Sequence, residues 1–374
     1  MAVAEAQAPS LFGLIGRQWA AGAAVESCAY DASGAVVAFA LASGSVALAP
    51  IEDAESTASR FRVSVDSGRA TISPRAKPAP PMLQVPIGDA PVRLAAFGAS
   101  GFLAGSACGR LVRVTPTGFL LPLAGDADGP VEAIVALTDG GALVAAGGTV
   151  TRHTADGAPA QRVFEANAAI TALAASRDGR RSAAATAAGL AIRPVEGSAG
   201  TSSLAIDLAG VTRLSWSPDG AHLAAALASG GIALVDSETG AVTRHADYPA
   251  PVHALAWSRD GRRLATSGAF RLIVWPVEPG RGADADRRSI ETGRPGLVAV
   301  QAVDVRADRP LVAVGYDNGI VVVSEIGRRD ELLVKGPGDG GVRDLRWSHD
   351  GRHLAFGTAT GAAALVEFPP HLFK

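Results

Sequence analysis

Seven histidines, two cysteines and 36 acidic residues are the groups from which this chain could build chemistry, and their spacing decides whether it does. His349 and His353 form the one close histidine pair, in Ser-His-Asp-Gly-Arg-His. Four residues apart on a helix, they would share a face and could hold a metal. Asp-Gly, however, marks a hairpin turn, and equivalent positions elsewhere carry Arg and Ala, so a solvated turn is expected. Cys28 and Cys108 both lie in apolar alternating segments and read as buried free thiols, not as a disulfide or a catalytic nucleophile. The string Gly338-Asp339-Gly340-Gly341 is followed by no helix, so it lacks the dipole of a phosphate-binding loop. No nucleophile elbow or dinucleotide fingerprint occurs. No catalytic residue, no metal site and no cofactor is therefore expected.

The elements that carry these residues repeat. Compare VTRLSWSPDGAHLAAALASGGIALVDSETG (211–240), VHALAWSRDGRRLATSGAFRLIVWPVEPG (252–280) and VRDLRWSHDGRHLAFGTATGAAALVEF (342–368). Each has an apolar alternating run, an Asp-Gly turn, a second run, a Gly-rich turn and a third run, the pattern of strands in tight hairpins. Weaker copies start at Val25, Val92, Val131, Ile170 and Val300, giving eight. Most intervals lie near the roughly 40–45 residues of a four-stranded propeller blade. A further short extended segment follows each copy but the last: 82–88, 118–125, 161–166, 203–209, 242–248, 288–293 and 331–336. These supply the outer strands. The last copy finds none before Lys374, and the segment 11–22 (LFGLIGRQWAAG) is expected to complete it and lock the ring. The fold expected is all-β: one closed β-propeller over residues 1–374, with eight four-stranded blades, or seven as the alternative.

The totals fit a globular protein. Hydrophobic residues make up 48% and charged residues 19%, enough for a core and far from a disordered composition. A net charge of −2 leaves no basic footprint for nucleic acid. No run approaches the roughly 18 apolar residues of a membrane span, and the N-terminus lacks the positive start of a secretory signal. A cytoplasmic protein is expected, and the wealth of Ala, Gly and Arg reads as a GC-rich bacterial genome.

Leu214-Ser215-Trp216-Ser217-Pro218-Asp219-Gly220, its echoes at Leu255 to Gly261 and Leu345 to Gly351, and Leu272-Ile273-Val274-Trp275 resemble the bacterial WD-repeat family of β-propellers. The resemblance runs from about Val25 to Phe368. It implies a non-catalytic scaffold for protein–protein interaction in a cytoplasmic assembly. The family's Gly-His pair is missing, and Asp317 alone occupies the place of its second-hairpin Asp, which implies blades held by packing alone. The alanines of Ala183-Ala184-Ala185, Ala224-Ala225-Ala226 and Ala362-Ala363-Ala364 would then line inner strands near the ring axis. Trp216, Trp257 and Trp347 share one place in their repeats and read as core. Trp19 lies outside that register and is expected to pack the closing strand. Eight-bladed quinone-dependent dehydrogenases repeat a motif to which Asp236-Ser237-Glu238-Thr239-Gly240 is similar only once, without its Trp, so an enzyme is disfavoured.

A partner's contacts are expected at the entry to the innermost strands, one rim of the ring. The residue after each leading Val or Ile falls there: Glu26, Arg93, Glu132, Thr171, Thr212, His253, Gln301 and Arg343, with Glu26, Arg93, Glu132, His253, Gln301 and Arg343 as the recognition set. One or more proteins are the expected partners, with neither nucleic acid nor membrane. The alternative is a small-ligand or metal-binding, sensing propeller that uses the central channel. Two inserts break the period, 51–81 in the first blade and 278–290 later. Both read as mobile decoration, with a partner contact as the alternative, the first with a small extra hairpin of Phe61–Val65 against Arg69–Ile72.

Overall fold

The computed structural model describes residues 10–64, 70–123, 127–195, 203–278, 288–369 and 372–373. The start of the chain, the tip of the extra hairpin and most of the 278–290 insert lie outside these. Alternating runs separated by turn residues form eight four-stranded antiparallel sheets, and each sheet is one blade. The innermost strands, from blade 1 to blade 8, are Val25–Tyr30, Arg93–Ala96, Val131–Ala136, Ile170–Ala175, Val211–Trp216, Leu255–Trp257, Val300–Val305 and Val342–Trp347. Every outer segment foreseen from the sequence contains a fourth strand, from Leu83–Pro86 in blade 1 to Glu331–Lys335 in blade 7. The eighth is Gly16–Ala20, antiparallel to Ala362–Glu367 with Arg17 opposite Leu365 and Trp19 opposite Ala363. The closing strand is shorter than 11–22. Leu11–Ile15 is a helical turn, because the Ser10 side chain caps it by accepting the Gly13 N–H.

The core lies between blades. Trp216 and Trp347 are buried and Trp257 half-buried, each opposite a leucine of the second strand. Arg181 of blade 4 stacks 5.3 Å over Trp216 of blade 5, and Arg306 of blade 7 stacks 5.6 Å over Trp347 of blade 8. The alanine runs correct the expectation: they sit on second and third strands, not beside the axis. Small side chains there let neighbouring sheets approach. Packing is not alone either. In blades 4, 5, 6 and 8 a Ser-x-Asp-Gly turn repeats one bonding pattern. The Ser176, Ser217, Ser258 and Ser348 hydroxyls donate to Asp178, Asp219, Asp260 and Asp350 at 2.5, 2.6, 2.5 and 2.6 Å. Each serine oxygen then accepts the N–H of the residue five further on.

The described part of segment 51–81 is anchored instead of loose. Phe61–Val63 pairs with Ala70–Ile72 as the extra hairpin. Arg17, on the closing strand, donates to Pro50 O (3.1 Å) and Ile51 O (2.8 Å) and lies 3.6 Å from Asp53. Arg75 pairs with the same Asp53 at 2.5 Å, and Trp19 Nε1 donates to Pro80 O at 2.8 Å. The segment thus lies across the seam where the ring closes.

Candidate interaction face at the channel mouth

The rim residues owe their placement to a repeated irregularity. In six blades the innermost strand shifts register by one residue against its neighbour, at Glu26, Glu132, Thr171, Thr212, Gln301 and Arg343. A residue at such a bulge has no cross-strand partner and turns out of the sheet. Glu26, Thr171, Thr212 and Arg343 are exposed, and Glu132 and Gln301 half-buried. The other two blades differ. Arg93 opens its strand opposite Gly105, and its Nε donates to Glu132 O of the next blade at 2.8 Å. His253 precedes its strand; its own N–H and that of Ala254 donate to Ser267 Oγ. Burial, then Arg213 and Arg343, pull the His253 imidazole below its ordinary value, with Asp317 opposing.

Below this ring of residues is a charged wall that the rim reasoning missed. Asp304 of blade 7 accepts the Trp347 N–H of blade 8 at 2.7 Å, and Asp344 of blade 8 accepts the Cys28 N–H of blade 1 at 2.9 Å. Each aspartate thereby stitches one innermost strand to the next. Arg346 lies 3.2 Å from Asp344. Burial pushes the Asp304 carboxyl up to about 6, only partly offset by Arg346 and by the Trp347 N–H. Arg346 is also raised, held more firmly protonated chiefly by Asp344. Arg213 of blade 5 is pulled down by burial first; Asp344, Arg93, Arg346 and Glu26 also act on it. Those four belong to blades 8, 2, 8 and 1, so the charge on Arg213 is felt across the ring. It is exposed by surface area yet desolvated. Surface inside a narrow channel is reachable but shielded from bulk water, and the shielding governs the charge. The sequence did hold a signal: charged residues at the third or fifth place of VTRLSW, VQAVDV and VRDLRW, where other copies carry mostly Ala, Val, Leu or Ser.

The remaining candidates separate. His349 is exposed, whereas His353 is buried on the strand that follows the turn, and burial lowers its pKa. Among the described residues no three His, Cys, Asp or Glu are placed to hold a metal ion. Cys28 is buried, as read, but Cys108 is exposed. Its strand ends at Gly105, and Ser106 to Arg110 form a turn with Gly109 at φ +87°, so the apolar alternation stops two residues early. No helix among the described residues is long and apolar enough to cross a membrane.

Residues 204–260 match the family model described as the anaphase-promoting complex subunit 4 WD40 domain. No curated protein matches the sequence. Among solved structures, the Dos1 propeller is similar over 96% of this chain and 96% of its own, at 14% identity and a TM-score of 0.66. The computationally designed Ika8 protein is similar over 95% of this chain and 99% of its own, at 15% identity and a TM-score of 0.65. Likeness at such identity speaks for fold alone. The family match, from the outer strand of blade 4 through blade 5 to the innermost strand of blade 6, and the closed ring of eight blades together support a WD-repeat β-propeller.

Proposed function

We propose that this propeller is a non-catalytic, cytoplasmic platform for protein–protein interaction, and that a partner docks on the channel mouth through Glu26, Arg93, Glu132, His253, Gln301 and Arg343. The recurring bulge carries this reading. It frees one polar side chain per blade from sheet pairing in six blades, and a rigid ring holds these side chains in fixed relation. The matched family model is named for a subunit of a multiprotein complex, which fits an assembly role. Glu26 and Arg343 are exposed and make no hydrogen bond or ion pair among the described residues, so exchanging them tests the face without touching the core. The double variant Glu26→Arg, Arg343→Glu should lose the proteins that the wild type captures from the source organism. Unchanged capture would remove the channel mouth from consideration. A small anion held inside the channel is the second reading, favoured by the desolvated Arg213. In that case Arg213→Gln, and not the rim exchange, would abolish ligand binding.

A further inference from the structure

We propose that the mouth of the channel opposite the rim holds a binding site for a small carboxylic acid with an apolar body, seated where the innermost strands of blades 3, 4 and 5 end. A hollow of about 350 Å³ opens there. Its apolar wall comes from Val135 of blade 3, Leu173 of blade 4, and Leu214, Trp216 and Pro218 of blade 5. That volume is at the low end for sites that take whole small ligands. An inter-blade bond that closes the next junction is missing at this one. Trp257 of blade 6 donates its indole N–H to the Ser215 carbonyl of blade 5 at 3.0 Å. The matching pair between blades 5 and 4 is Trp216 with Ala174, and both line the hollow. Trp216 is 8% exposed, and its Nε1–H is buried with no hydrogen-bond partner. A buried donor is costly until something accepts from it. Ser215, half-buried in the same lining, has a hydroxyl that makes no hydrogen bond among the described residues.

The charge at the hollow has one sign. Arg177, in the turn after the innermost strand of blade 4, lines it, is exposed, and makes no hydrogen bond or ion pair among the described residues. The same turn position in blade 5 is Pro218, which adds apolar wall in place of a second charge. None of the described residues that line the hollow is acidic. The acids next to it in sequence, Asp178 and Asp219, are engaged within their turns. Asp178 accepts the Ser176 hydroxyl and the Arg180 N–H, and Asp219 accepts the Ser217 hydroxyl and the Ala221 N–H. Burial raises the Asp178 carboxyl, but those two bonds and the charges of Arg180 and Arg181 outweigh it. Arg181, stacked 5.3 Å over Trp216, adds a second cation whose guanidinium donates to the neutral oxygens of Gly220 and Ser237. An incoming carboxylate therefore meets Arg177 and unsatisfied donors, and its apolar body meets the hollow. The site lies away from the rim and does not depend on partner docking there.

The test is isothermal titration of the full chain with 3-phenylpropanoate, and with its uncharged amide as the control. The acid should bind saturably with a Kd below ~1 mM, and the amide about tenfold more weakly or worse. Arg177→Gln should weaken binding of the acid about tenfold or more, the worth of one charge-assisted hydrogen bond. Trp216 lines the hollow, so tryptophan fluorescence should change on binding. Trp216→Phe should remove that change and weaken binding about threefold to tenfold, the worth of one neutral hydrogen bond. Arg177 is exposed, so Arg177→Gln keeps the wild-type melting temperature and carries the test even if Trp216→Phe fails to fold. Arg213→Gln and the exchange of Glu26 and Arg343 should leave binding unchanged. Five results would overturn the proposal: no saturable binding, equal binding of the amide, indifference to Arg177→Gln, a fluorescence change that survives Trp216→Phe, or loss of binding in Arg213→Gln, which would move the ligand into the channel.

Discussion

Replacing Arg17 by methionine keeps most of the side chain's length while removing its charge, and it acts at the point where the ring closes. Arg17 is 5% exposed, and its guanidinium makes two hydrogen bonds to backbone oxygens, at 3.1 and 2.8 Å, besides its 3.6 Å contact with Asp53. A hydrogen bond to a charged group is worth roughly 1.5–3 kcal/mol net, so two give about 3–6 kcal/mol. Asp53 would not be stranded, because Arg75 holds it at 2.5 Å. That remaining pair puts the loss at the lower end, about 3 kcal/mol. Unfolding entropy near 2.1 cal/mol/K per residue makes ~0.8 kcal/mol/K for this chain, so Tm should fall by about 4 °C. Closure predicts more than a lower Tm: amide exchange should quicken first in Gly16–Ala20 and in its partner Ala362–Glu367. A double-mutant cycle of Arg17→Met with Asp53→Asn should show coupling of the two side chains. A Tm within one degree of wild type, with undisturbed protection of Gly16–Ala20, would show that segment 51–81 does not clasp the seam.

Three further outcomes follow from other parts of the ring. Asp304, raised to about 6, binds its proton more tightly in the folded protein, so its contribution is present at low pH and lost as pH rises from about 4 to about 6. A shift of about two units corresponds to ~3 kcal/mol; Asp304→Asn should therefore gain on the wild type by that order between pH 4 and pH 7 in urea titrations, and a constant difference would refute it. Cys108, whose thiol pKa is lowered chiefly by Ser106 at 3.0 Å, should react with iodoacetamide in the native protein. Cys28, raised by burial and by Asp344, should react only on unfolding, and mass spectrometry of the labelled chain separates the two. Gly357 of blade 8 faces Val25 of blade 1, and a methyl there would stand 2.1 Å from Val25 Cγ1. Gly357→Ala should cost about 1–3 kcal/mol in chemical denaturation.

What was legible followed from periodicity. Asp-Gly turns, alternating runs and spacing placed eight blades and their outer strands, because each of these is local to one repeat; the closing strand, which pairs with Ala362–Glu367, followed by counting, since one copy was left without an outer strand. What was not legible involves partners brought together by the ring. Asp344 meets the Cys28 N–H across 316 residues of sequence, and Thr57 meets Glu367 across 310. No local pattern encodes such meetings, so the anchoring of segment 51–81 read as decoration. The exposure of Cys108 failed for another reason: Ser-Ala-Cys-Gly continues an apolar rhythm that the chain abandons at a turn.

A ring of near-equivalent blades poses a problem of direction that bears on where a partner can be recognised. A contact repeated in every blade offers eight equivalent orientations and selects none. The residues held in register, Trp216, Trp257 and Trp347 or the four Ser–Asp turns, are committed to packing blade on blade and cannot choose among rotations. Selection requires features that differ from blade to blade. The bulge positions have them, since the same structural place is acidic at Glu26 and Glu132, basic at Arg343, and neutral at Thr171, Thr212 and Gln301.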